Sequence, residues 1–269
     1  RIDYVLKLIR SENNLVSHLL SKRTDKQIIS NLFQLFKREF SSKNSRLESF
    51  LTACSHGNIR FSLELFRGFL VSGYTNVREM TSVSDWKIQI HQVIKPFVIP
   101  ERFFYEESKS KIPNVFQIRA KKNGSHFTAL RILSKLLIGQ DSKNPAFMPV
   151  ASLAFEFKDI FNMKEDFDLN MGMLLTNGLI ESNNRLEQFD ELVDSVRITA
   201  YGEFILNTLH KAFTYFELIC IDCALSNSST SHSIASLSIN DYEYYYQKDK
   251  RFERITKRLE KADVFLKYL

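Results

Sequence analysis

The sequence predicts a mainly α-helical protein, and three observations carry that prediction. Gly and Pro are scarce, at 8 and 5 of 269 residues, which removes the turn formers on which an all-β fold depends. Apolar residues recur at steps of three and four over most of the chain. Strand-like alternation is confined to residues 179–199, where two short apolar segments flank a polar loop.

The elements follow in order. Ile2, Val5, Leu6, Ile9, Leu15, Leu19 and Leu20 have helical spacing. Asp25 is placed to cap a second helix through Ile28, Ile29, Leu32, Phe33, Leu35, Phe36 and Phe40. Ser45 opens a short third one with Leu47, Phe50 and Leu51. A helix over 59–70 stops at Gly73, Asn76 starts another, and a further piece covers 86–94 before Pro96 and Pro100. Residues 1–97 therefore read as one helical bundle.

Residues 98–125 read as a connector. Its apolar islands, Phe103, Phe104 and Tyr105, then Val115, Phe116 and Ile118, suit an extended segment packed on a neighbour. Ser125 caps a helix through Phe127, Leu130, Ile132, Leu133, Leu136 and Leu137. A second helix is expected over 150–161, and a third near 169–177 ends in Asn177-Gly178, a left-handed cap. Leu179-Ile180-Glu181 and Val196-Arg197-Ile198-Thr199 form a hairpin, and Ala200 begins another helix that continues apolar to Leu225. Residues 226–247 are Ser- and Tyr-rich and read as a linker. Residues 248–269 read as a terminal helix with Phe252, Ile255, Leu259, Ala262, Leu266 and Leu269 on one side. That helix can dock on the body or pair with another chain.

Charge is unevenly spread. Residues 1–125 carry 21 Lys+Arg and 11 Asp+Glu, net +10; residues 126–203 carry 7 and 12, net −5; residues 204–269 carry 9 and 8, net +1. A basic front suits nucleic acid or an acidic partner. No run of 18 apolar residues occurs, so no membrane span is expected. Cys54, Cys220 and Cys223 are an odd number and suit a reducing cytoplasm rather than a disulfide framework. Arg1 is not an initiator Met, and the chain is expected to begin in mid-protein.

Two motifs carry a family resemblance. Gly57-Asn58-Ile59-Arg60 leads into the helix over 59–70, with the arginine near the positive end of the helix dipole. This segment resembles the second sensor of AAA+ and related STAND ATPases, where such an arginine on a helical lid reaches the bound nucleotide. Three helices, a hairpin and Arg197-Ile198-Thr199-x-x-Gly202 resemble a winged helix. Lid followed by winged helix is the domain order of Orc/Cdc6-like and several STAND-type ATPases.

The resemblance implies a lid-like bundle (1–97), the connector (98–125), a winged-helix domain with its following helix (126–225), the linker (226–247) and the terminal helix (248–269). It implies nucleotide sensing by Arg60, with Asn58 and Gly57 shaping the turn, ATP and Mg held by an upstream core domain, and a protein partner. No Gly-x-x-x-x-Gly-Lys-Ser/Thr occurs, so the chain itself is expected to be no enzyme and to hold no cofactor. Arg60 read by spacing alone is a solvated surface residue, with Glu64 and Arg67 on the same stripe.

The alternative function is a winged-helix transcriptional regulator. Standard groove recognition is disfavoured, because Glu165, Asp166 and Asp168 open the third helix and no Lys or Arg lies between Lys164 and Arg185. Contact with DNA or an acidic partner would instead use Lys109, Lys111, Arg119, Lys121 and Lys122. Cys220-x-x-Cys223 has metal-ligand spacing without a second pair, and reads as core. Tyr242, Tyr244, Tyr245 and Tyr246 beside Lys248, Lys250 and Arg251 suit either base stacking or docking of the tail.

Overall fold

A computed structural model describes residues 23–42, 45–55, 58–72, 74, 76–83, 86–100, 104–139 and 146–269. The expected first helix, over residues 2–20, lies outside them. The chain divides into two compact units, Arg1–Pro96 and Phe97–Leu269. Helices dominate both, with one small antiparallel sheet in the second.

The first unit contains α1 (Arg23–Ser41), α2 (Arg46–Ser55), α3 (Ile59–Val71) and α4 (Val77–Ser82). Their shared core is built largely from phenylalanine. Phe36 meets Phe66 edge-on at 4.9 Å, Phe40 also reaches Phe66, and Phe50 and Phe69 are fully buried. Rings in this geometry add to the free energy of burial itself. Asn58 and Asn76 each cap a helix, their side-chain oxygens accepting from Phe61 and Glu79 amides at 3.1 and 3.3 Å.

Helix α5 (Ile90–Val98) departs from expectation. Residues 86–89 are not helical, and Pro96 sits inside the helix rather than ending it. A proline in the last turn removes one backbone bond, and the strongly apolar face over-rides that loss: Val93, Ile94, Phe97 and Val98 are buried.

The second unit begins with the connector. It is buried at Ile112, Asn114, Val115 and Phe116. Next come α6 (Thr128–Ile138), β1 (Met148–Pro149), α7 (Val150–Ala154) running into a π-helical turn (Phe155–Ile160), and α8 (Lys164–Thr176). Strands β2 (Ile180–Ser182) and β3 (Ser195–Ile198) follow, then α9 (Ala200–Asn207) and α10 (Phe213–Ile219). The sheet order is β1-β3-β2, with Met148 opposite Val196 and Ile180 opposite Ile198. The sequence predicted the β2–β3 hairpin but not β1.

Two local motifs fix the hairpin's ends. Gly178 has φ of 69°, and its amide and that of Leu179 return to the Leu175 and Leu174 carbonyls at 3.0 and 2.8 Å. Thr199 caps α9 by accepting from the Gly202 amide at 3.1 Å, and donates to the Gly178 carbonyl at 2.8 Å. A side chain at Gly202 would meet the Leu179 carbonyl oxygen at 2.2 Å.

The helix expected to run unbroken from Ala200 to Leu225 is divided. Ala212 is extended (φ −75°, ψ 120°), which separates α9 from α10. The Ser-rich linker is not a linker: residues there form α11 (Ser228–Tyr244), which packs along α12 (Arg251–Tyr268). Serine favours non-helical states, so this helix depends on its packing, with Ile234 and Ser238 buried and Asn227 capping it.

Candidate functional site

Arg60 occupies the first turn of α3. Its side chain is 91% exposed, and its Nε lies 3.6 Å from the Glu64 carboxylate one turn on. Ile59 and Leu63 are exposed beside it, whereas Leu65 and Phe69 face the core. The Asn58 cap directs the chain into this helix. Gly57 lies outside the described residues. The geometry is an arginine held outward on a rigid, capped helix, with its fork available to an external anion.

The connector's basic residues divide into two kinds. Arg119 turns inward, and its side chain is only 14% exposed. It forks onto Glu107, with one bond of 2.9 Å, and donates to the Asn114 carbonyl at 3.0 Å. Lys109 pairs with Glu106 at 2.8 Å, and its ammonium with the Ser108 hydroxyl holds the Glu106 carboxyl below its usual range. Lys111, Lys121 and Lys122 are exposed, the last two on a turn closed by Asn123 at φ 53°.

Arg119 belongs to a buried polar network that the sequence did not reveal. Asn114 donates to the Ile219 and Asp222 carbonyls, both at 3.2 Å, and accepts from the Phe116 amide at 3.0 Å. Tyr215 donates to the Pro113 carbonyl at 2.6 Å and accepts from the Val115 amide at 3.1 Å. Burial raises the Tyr215 phenol above its ordinary range. These bonds fasten the connector to α10 across about a hundred residues of sequence, and only tertiary structure could disclose them.

The Cys220–Cys223 pair lies in this core. The Cys223 sulfur sits 3.3 Å from the Asn114 amide nitrogen, and burial pushes the Cys220 thiol up to about 12. Thiols in that state are poor metal ligands and nucleophiles. Among the described residues, no group of three or more His, Cys, Asp or Glu could hold a metal ion.

The third helix of the second unit, α8, carries two different acidic residues. Asp166 is fully buried. It accepts from the Ser125 amide and the Asn170 side chain, both at 3.2 Å, and from the Thr128 hydroxyl, tying α8 to the start of α6. Its expected place on an exposed acidic surface is therefore corrected: it is a structural residue. Asp168 is half-exposed and pairs with Lys158 at 2.7 Å. The outward face of α8 presents Glu165, Leu169 and Thr176 around Gly172. Next to it, Thr176 bonds to the Glu187 carbonyl in the β2–β3 loop, which also exposes Asp190, Glu191 and Asp194.

Of the tyrosines at the α11–α12 turn, Tyr242, Tyr245 and Tyr246 are exposed and Tyr244 is half-buried, and Tyr242 rests on Phe104 of the connector at 6.1 Å between ring centres. Tyr242 and Tyr246 meet edge-on at 6.0 Å, and the Arg254 guanidinium lies 4.8 Å from the Tyr245 ring centre. Among the described residues, no helix is long and apolar enough to cross a membrane. No protein-family model, curated protein or solved structure matches the chain.

Proposed function

We propose that this chain is the regulatory lid and winged-helix portion of an AAA+/STAND-type ATPase, working in a reducing cytoplasm. It couples the nucleotide state of a P-loop core to a protein partner. The observation that most favours this reading is the order of elements in the second unit. Helix α6, strand β1, helices α7 and α8, then β2 and β3 pair as β1-β3-β2, which is the arrangement a winged helix requires. The first unit adds a capped helix with an outward arginine at its start.

In this reading the core domain holds ATP and Mg, and Arg60 contacts the terminal phosphate when lid and core close. Its planar fork would pair two phosphate oxygens in one nucleotide state and lose them in the other. The acidic face of α8 and the β2–β3 loop favours a protein partner over a polyanion. A winged-helix transcriptional regulator is the second reading, and it needs DNA contacts elsewhere, from Lys109, Lys111, Lys121 and Lys122.

The test uses the polypeptide that carries core and chain together. Arg60→Ala should leave thermal melting unchanged and weaken the response to ATP, and Arg60→Lys should rescue it only in part. Equal nucleotide affinity, turnover and output in all three proteins would remove the sensor role. Titration with duplex DNA over a salt series separates the second reading, since tight, steeply salt-dependent binding would favour it.

A further inference from the structure

The terminal helix α12 has two apolar faces. Its inner face buries Ala262 and Phe265. Phe265 lies 4.9 Å from the Phe216 ring, and Tyr268 bonds to His126 and Ser226. That face accounts for docking on the body. The outer face leaves Phe252, Ile255, Leu259 and Leu266 at 82%, 43%, 53% and 60% exposure. Three of these stand seven residues apart, which is the spacing of a helix-pairing seam. Side chains of this size expose on the order of 400 Å² together, enough to mark an interaction surface on a single chain.

We propose that this outer face pairs with the same face of a second copy of the chain, antiparallel, about a two-fold axis near Leu259. Phe252, Leu259 and Leu266 are symmetric under that reversal, whereas Ile255 comes opposite Asp263 of the second copy. Leu259 meets Leu259 of the second copy, and Phe252 meets Leu266 of the second copy. The flanking charges are complementary in the same register. Glu253 stands near the start of α12 and Lys267 near its end, on one flank of the stripe. Reversal brings each Glu253 beside Lys267 of the other copy, twice per dimer. Lys267 is now in an exposed pair with Asp263 at 2.6 Å, and such a pair exchanges partners at little cost. Antiparallel packing also sets the helix dipoles head to tail. An anionic membrane fits less well, because Lys250, Lys257 and Lys267 are each paired with a carboxylate, Glu253, Glu260 and Asp263, which leaves these pairs no net positive charge to hold it.

A contact of this size is about half the usual area per partner, so the dimer is weak, with Kd on the order of micromolar. Sedimentation equilibrium on the chain from about 1 to 200 μM should show reversible monomer–dimer exchange. Leu259→Glu replaces an outward residue and should give a monomer with an unchanged circular-dichroism melt. Glu253→Lys and Lys267→Glu should each raise Kd several-fold, and the two together should restore it. A wild-type chain that stays monomeric throughout, or a Leu259→Glu protein that dimerises like wild type, overturns the pairing. A double variant no better than the singles overturns the antiparallel register.

Discussion

The Arg258 guanidinium on α12 reaches Glu217 on α10, 41 residues earlier, with Nε 3.0 Å from a carboxylate that has no exposed surface. Lys261, itself 6% exposed, lies 3.4 Å from the other oxygen of the same carboxylate. One buried anion thus holds two cations of the terminal helix, next to the Phe216–Phe265 contact.

Removing that anion should be costly. Glu217→Gln keeps the shape but leaves Arg258 and Lys261 against a neutral group, so their desolvation is no longer offset. Losing one partner of a buried pair typically costs about 3–5 kcal/mol. Urea unfolding should show a large fall in midpoint, and replacing Lys261 by Met in the same background should recover part of it. A Glu217→Gln protein as stable as wild type would mean that the cluster is hydrated in solution.

Two glycines should respond oppositely to alanine. At Gly202 the new methyl would sit 2.2 Å from the Leu179 carbonyl oxygen and 2.8 Å from Ile198. Backbone cannot yield there without opening the hairpin, so Gly202→Ala should lower the melting temperature sharply. Gly172 is inside α8, and nothing lies within 4 Å of an added methyl. Gly172→Ala should stabilise by up to about 1 kcal/mol, the helix-propensity difference.

Those glycines also mark what was legible in the sequence. Gly178 and Gly202 answer to backbone demands that few residue types meet, so the hairpin, the end of α8 and the start of α9 could be read directly, whereas α8 begins at Lys164 rather than near 169 and α9 ends at Asn207. Strand β1 could not, because Met148-Pro149 is too short to alternate. Helix α11 was hidden because its serines favour linkers, and only Ile234, Ser238 and the neighbouring α12 make it a helix. At the candidate sites, Arg60 on an outward face was legible from spacing. The inward turn of Arg119 and the burial of Asp166 were not. Asp166 bonds to Thr128, 38 residues earlier, and Arg119 folds back onto Glu107 and Asn114 within a connector that has no regular periodicity to reveal it.

Acid should weaken the second unit through His210. Burial is the main cause that lowers its pKa from 6.5, and a bond between its ring and the Ile205 carbonyl, 3.0 Å away, partly opposes this. The folded state therefore binds this proton less readily than the unfolded state does. Stability contributed here is present above the unfolded value near 6.5 and is lost progressively as pH falls from there through the lower folded value. His210→Gln should flatten that part of the stability–pH curve, measured by urea unfolding between about pH 5 and 7.5. An unchanged slope would assign the acid sensitivity to another group.

Asp166 and Asp168 stand two residues apart and should behave as different kinds of residue. Lysine at Asp166 would bury a cation where a carboxylate now accepts from Ser125, Thr128 and Asn170. That change should unfold the second unit or lower its melting temperature severely, whatever the chain binds. Lysine at Asp168 instead breaks a partly exposed pair with Lys158, a loss of about 1 kcal/mol or less. The fold should survive, and the α8 face should become less acidic. If α8 does not read DNA, Asp168→Lys leaves duplex affinity unchanged or raises it uniformly across sequences through the added charge. Fluorescence anisotropy with two unrelated duplexes at two salt concentrations distinguishes the cases. A loss of affinity confined to one duplex, in a protein with a normal melting curve, would show that α8 makes base-specific contacts.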